Sequence, residues 1–171
     1  YPWSETFTFQ AGATIAAGDV YVVASSDADP SITALADELH AYADPWYITA
    51  FNGDDVRALA QIDGEIEIII DIIGTLDTDG DGLPGEGGDD DPGSGWSVAG
   101  IENGTQNKTL VRKSSVVLGN AGDWINSAGT TENNSEWHVF DINTWDNLGS
   151  HFQESFVCEF TEVTVNLYDS Y

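Results

Sequence analysis

Residues 56–73 read V-R-A-L-A-Q-I-D-G-E-I-E-I-I-I-D-I-I, two apolar-rich runs on either side of Asp63-Gly64. An Asp-Gly pair between such runs signals a tight hairpin, because glycine reaches the positive φ that the favoured two-residue turns require. The expected strands are Val56 to Gln61 and Glu65 to Ile73. In the second, Glu65 and Glu67 alternate with Ile66 and Ile68 before the run turns apolar but for Asp71, so it should begin near solvent and finish buried.

Short strand candidates lie on both sides of this hairpin. Thr6-Phe7-Thr8-Phe9 alternates with period two, and Gly18 to Ser26 is rich in β-branched and aromatic residues. Further on come Trp96 to Val98, Thr109 to Lys113, Trp137 to Phe140 and Phe156 to Leu167, separated by Gly, Asn and Ser. One helix is expected, from Pro30 to Tyr42. Asp29 can cap it, Pro30 suits its first turn, and Ile32, Leu35, Leu39 and Tyr42 recur at three-to-four spacing. Many short strands with one short helix predict a mainly β fold, an antiparallel β-sandwich.

The chain has 171 residues, enough for one domain with a core, and 41% hydrophobic and 11% aromatic content mark a folding sequence rather than an acidic tail. Four basic residues against thirty acidic ones give a formal charge of −26. Such a field repels nucleic acid and anionic lipid, since both are bound by Lys and Arg, and it favours cations or basic partners. It also suits a protein kept soluble in high salt. The single cysteine, Cys158, precludes an internal disulfide and reads as a small apolar strand residue, with a reactive thiol as the other reading. No stretch has the ~18 uncharged apolar residues of a membrane helix, so no membrane insertion is expected. With neither a signal peptide nor a methionine, the chain is expected to be a processed product or a piece of a longer polypeptide.

Asp77 to Asp91 reads D-T-D-G-D-G-L-P-G-E-G-G-D-D-D, a run with seven carboxylates and no cation. Carboxylates this crowded repel one another unless something positive lies between them, and Ca²⁺ takes six to eight oxygen ligands in flexible geometry. Asp77, Asp79 and Asp81 followed by Gly82 match the first half of the calcium-loop pattern D-x-D/N-x-D/N-G. The second half departs from it, with Gly85 at the ninth position and Gly88 at the twelfth. The expected ligands are therefore Asp77, Asp79, Asp81, the Leu83 carbonyl, and Glu86 or Asp89 to Asp91; the alternative is a solvated acidic loop.

Several separated segments together resemble the lamin-tail-like domain of secreted bacterial proteins. They are Ala17-Gly18-Asp19-Val20-Tyr21-Val22, Phe51-Asn52-Gly53-Asp54-Asp55, Ile70-Asp71-Ile72-Ile73-Gly74, Asp91-Pro92-Gly93-Ser94-Gly95-Trp96 and Thr109-Leu110-Val111-Arg112-Lys113. Ser127-Ala128-Gly129-Thr130, Ser135-Glu136-Trp137 and Leu148-Gly149-Ser150-His151 complete the set. The resemblance implies an immunoglobulin-like sandwich over residues 1–151, with no catalytic activity of its own, carried by extracellular nucleases and large surface proteins. Against that family, residues 77–91 look like an inserted acidic loop, and the opening strands that normally precede Phe7-Thr8-Phe9 are missing. Residues 152–171 are expected to be a C-terminal strand extension. Their end, Val163 to Tyr171, resembles the start of a repeat of secreted Bacteroidetes-type proteins in which Asp-Ser-Tyr continues into Gly-Asp-Gly-Trp. A sandwich short of a strand exposes unpaired backbone groups, so Phe156 to Leu167, with Val163 and Val165 alternating on one face, is expected to complete the domain's own sheet or to pair with a neighbouring subunit.

Other reactive residues read as structural. His40, His138 and His151 lack a metal-ligand spacing, no nucleophile elbow is present, and paired carboxylates carry no information in so acidic a chain. Asn52-Gly53-Asp54-Asp55 reads as a turn capped by Asp side chains, with a second cation site as the alternative. Lys108, Arg112 and Lys113 cluster at one strand, either as a docking point for a carboxylate-rich neighbour or as local salt bridges to the domain's own acids. Most of the six tryptophans should fill the core; a carbohydrate-binding surface would need two or more exposed together. The expected function is a non-enzymatic module, stabilised by Ca²⁺, of a secreted or cell-surface adhesin or extracellular filament, associating with neighbouring domains or subunits of the same protein. The alternative is an accessory domain of a secreted nuclease or other hydrolase whose catalytic domain lies outside this chain.

Overall fold

The computed structural model describes Trp3 and residues 6–41, 48–76 and 93–151. Within them lie β1 (Val23–Ser25), α1 (Pro30–Thr33), β2 (Glu38–His40), β3 (Arg57–Asp63), β4 (Ile66–Ile73), β5 (Lys108–Arg112), α2 (Trp124–Ala128) and β6 (Trp137–Asp141). The strands pair as β1–β2, β3–β4 and β5–β6. The domain is therefore β-rich, with two one-turn helices and, among the described residues, no closed barrel.

The hairpin forms where the sequence places it. Asp63 pairs with Ile66 across Gly64 and Glu65, and of these two loop residues only Gly64 has a positive φ, +64°. Glycine at the first loop position is the requirement of a type II′ turn, whose twist matches that of the flanking strands. The register shifts at Leu59/Ala60. Burial deepens along β4, from Ile66 at 63% exposed to Ile72 at 3%. Ile66, Ile68 and Ile70 are exposed while Glu67 and Ile69 are half-buried, so one face of the hairpin carries a bare isoleucine ridge.

Ile72 meets Val56, Val98, Trp124, Ala128 and Trp137 in the core, with Trp96, Leu110 and Val139 packed against them. The rings of Trp124 and Trp137 are tilted by 55° with centroids 6.1 Å apart. Tryptophan thus fills the interior as expected, and none of the described tryptophans is exposed. Trp46 lies outside the described residues.

Four local expectations are corrected. The helix predicted over Pro30 to Tyr42 stops after one turn, although Asp29 caps it by accepting from the Ser31 amide at 2.9 Å. Asp37 decides the outcome: its carboxylate accepts from the Val22 amide at 2.7 Å and its own amide donates to the Val22 carbonyl at 2.8 Å. The chain is thereby drawn onto β1 as β2, and Leu35 and Leu39, the supposed apolar stripe, are both 48% exposed. Secondly, β1 and β2 are parallel, not antiparallel. A parallel pair needs a crossover of about a dozen residues, and the segment from Ser26 to Asp37 containing α1 supplies it. Thirdly, one helix was expected and the described residues hold two; α2 is capped by Asp123, whose carboxylate accepts from the Asn126 amide. Fourthly, Thr6 to Phe9 forms no strand and Trp96 to Val98 contributes only the isolated bridge Val98–Ile101. Phe7 and Phe9 instead stack edge-on against each other, and against His40 and Tyr21 respectively.

Candidate functional site

Arg112 ends β5 opposite Trp137, the first residue of β6. Its guanidinium lies 4.0 Å over the indole ring, a cation–π arrangement that leaves the edge of the fork free to donate. One end donates to the Asp71 carboxylate on β4, and Nη1 donates to Glu136 Oε2 at 2.6 Å. Glu136 also accepts from Ser127 Oγ at 2.6 Å, and that hydroxyl accepts from Trp137 Nε1 at 3.0 Å. Asp71 Oδ1 further accepts from the Asn120 amide at 3.1 Å. The Asn120 side chain copies a strand neighbour, accepting from the Ile72 amide at 3.0 Å and donating to the Ile72 carbonyl at 2.8 Å. One polar cluster thus ties β4, the 119–121 loop, β5, α2 and β6 together. The arginine side chain is 14% exposed, so these charge-assisted bonds act with little competition from water.

Beside the cluster is a groove of about 390 Å³ walled by residues 20–23 on one side and 109–112 on the other, and floored in part by Trp145 and Leu148. The backbone directions of both walls follow from strand alternation. The Val22 amide and carbonyl face β2, where they meet Asp37 and Glu38, so those of Tyr21 and Val23 face the opposite way. Lys113 donates to the Glu136 carbonyl, and with the β5–β6 register this makes Thr109–Phe140 and Val111–His138 the hydrogen-bonded pairs. The main-chain groups of Leu110 and Arg112 therefore point away from β6. Among the described residues, no hydrogen bond reaches the backbone groups of Tyr21, Val23, Leu110 or Arg112 on these outer sides. The Tyr21 hydroxyl is engaged, donating to Glu38 Oε2 at 3.0 Å; burial first, then that carboxylate, raises its pKa above the ordinary 10.0.

The predicted partner-binding cations are brought together on β5 and its end, and each meets an oxygen of the domain itself. Arg112 is held in the cluster, Lys108 bonds Asp141 at 2.9 Å, and Lys113 donates to the Glu132 carbonyl. The Lys108 ammonium in turn holds the Asp141 carboxyl below its ordinary value. Phe156, Val163 and Val165, the predicted strand-addition residues, lie outside the described residues. So do all the predicted calcium ligands: Asp77, Asp79, Asp81, Leu83, Glu86 and Asp89. Among the described residues no group of three His, Cys, Asp or Glu side chains is placed to hold a metal ion. Residues 52–55 bend, but the cap is reversed from the expected one: Asn52 Oδ1 accepts from the Asp54 amide at 3.3 Å, while the Asp54 carboxylate, in a residue 5% exposed, accepts from Asn52 Nδ2 at 3.1 Å rather than from a backbone amide.

The histidines are dispersed: His40 sits 3.3 Å from Glu38, His138 3.8 Å from Glu132, and His151 at the groove. Asp71, Glu136, Ser127 and Asn120 escaped the sequence reading as a group, because nothing distinguishes them among so many acids and amides. The usable signal was parity, since an arginine and a tryptophan opposite each other on paired strands are placed to stack. Among the described residues no helix is long and apolar enough to cross a membrane. Comparison with family models, with characterised proteins and with solved structures gave no match.

Proposed function

We propose that this chain is a non-catalytic, immunoglobulin-like β-sandwich module of a large secreted or cell-surface protein, an adhesin or extracellular filament, working in assembly or attachment. The observation that carries this reading is the Arg112 cluster. Its groups resemble catalytic parts, a serine bonded to a carboxylate beside an arginine, yet they are turned on one another. Ser127 is 2% exposed and engaged at both its donor and its acceptor, so no substrate reaches it. A tie across several elements is what a module under tension needs, and the net charge of −26 fits an environment of salt and divalent cations.

On this reading Ca²⁺, held by Asp77, Asp79, Asp81, the Leu83 carbonyl and Glu86 or Asp89, stiffens the acidic segment. Metal binding orders a stretch that has too few apolar residues to build a core. The test is a thermal melt of the whole chain in calcium and in EDTA, beside the triple variant D77N/D79N/D81N. Calcium at a hundred times its dissociation constant should stabilise by about 2.7 kcal/mol, and the variant should melt identically in both buffers. Equal melting of the parent chain in calcium and in EDTA refutes the calcium role.

A further inference from the structure

We infer that the groove between residues 20–23 and β5 is a strand slot, and that its occupant is the chain's own segment Phe156–Leu167, entering from the same molecule. Both walls offer main-chain donors and acceptors without partners among the described residues: Tyr21 and Val23 on one side, Leu110 and Arg112 on the other. Half-buried backbone groups left unpaired are costly, and an extended segment answers them along whichever wall it follows. The lining is apolar where side chains would meet it, with Val20, Leu110, Trp145 and Leu148.

The chemistry of the segment fits such a slot. Val163-Thr164-Val165-Asn166-Leu167 alternates strictly, with three apolar side chains on one face and two polar ones on the other, and it follows a run rich in Phe and Val. Its point of departure fits as well. The described chain reaches His151 at the groove itself, and Phe156 is five residues further on, a reach of at most about 18 Å. A segment tethered so closely has an effective local concentration in the millimolar range, above that of a second copy at ordinary protein concentrations. The inference stands apart from the calcium loop and from the proposed extracellular role, and its test uses neither.

The experiment is amide exchange by NMR on the whole chain and on V163P/N166P, in which proline removes a donor at each of the segment's two edges. In the parent chain the amides of the wall the segment follows, Tyr21 and Val23 or Leu110 and Arg112, should be protected, and the variant should lose that protection by about tenfold or more. Ala24 and Val111, whose amides face β2 and β6, should stay protected in both, which reports that the fold is intact. A milder variant, V163T/V165T, removes the apolar face yet keeps strand propensity and should lose part of the protection if the proline variant does not fold. Free exchange at the four amides in the parent chain overturns the inference, as does protection unchanged in the variants. Protection that falls on dilution also overturns it, because the occupant is then a second copy.

Discussion

Replacing Arg112 by alanine strips both Asp71 and Glu136 of their cation and leaves the Trp137 ring without its cover. Removing one partner of a fully buried ion pair costs about 3–5 kcal/mol. Here the Asp71 and Glu136 side chains are 31% and 36% exposed, so water recovers part of the loss. The expected destabilisation is about 2 kcal/mol, or about 4–8 °C in melting temperature for a domain of this size. Arg112→Met keeps an apolar stem against the indole and should lose less than the alanine variant. Thermal melts of the two variants check this, and equal melting would mean that the charge, not the stacking, sets the effect. The same attention to single atoms explains Gly53: its φ is +104°, and a Cβ at that position would overlap the Thr105 carbonyl oxygen, so no other residue fits there.

Both one-turn helices depend on an aspartate at the N-cap. Asp29 accepts from Ser31, side chain first and then backbone, and Asp123 accepts likewise from Asn126; each carboxyl is held below its ordinary 3.8. A carboxyl whose folded pKa is lowered stabilises the fold above its unfolded pKa. That contribution fades as the pH falls through 3.8 and on through the lowered folded value. The helices should therefore loosen in acid before the hairpin does. NMR titration should show the Ser31 and Asn126 amides shifting with midpoints under 3.8, and D29N and D123N should flatten those curves; midpoints at or above 3.8 would refute the caps. Elements governed by nearest neighbours were legible in the sequence: the Asp63-Gly64 hairpin, and the strands at Lys108–Arg112 and Trp137–Asp141, within a residue or so. The long helix was not, because a bond from Asp37 to Val22, fifteen positions away, outweighed the weak periodicity of Leu35 and Leu39. The polar cluster was hidden for a similar reason, since its partners come from positions 71, 112, 120, 127 and 136.

Across the molecule, four cations are set against thirty acids, and each described cation of β5 and its end is already engaged within the domain. The remaining negative charge is balanced by solvent ions, so salt should raise stability by screening self-repulsion, beyond any specific effect of calcium. The β-rich character could be read from strand spacing, whereas the parallel β1–β2 pair could not, because period-two alternation carries no information about strand direction. The ridge of Ile66, Ile68 and Ile70 has a colloidal meaning. Mutual repulsion is what keeps two such greasy flanks apart in dilute buffer, and it vanishes near the isoelectric point of about 4.1. Turbidity should peak there and clear on either side, and I66K/I68K should abolish the peak; a protein that stays clear at that pH would show that the flank is not adhesive.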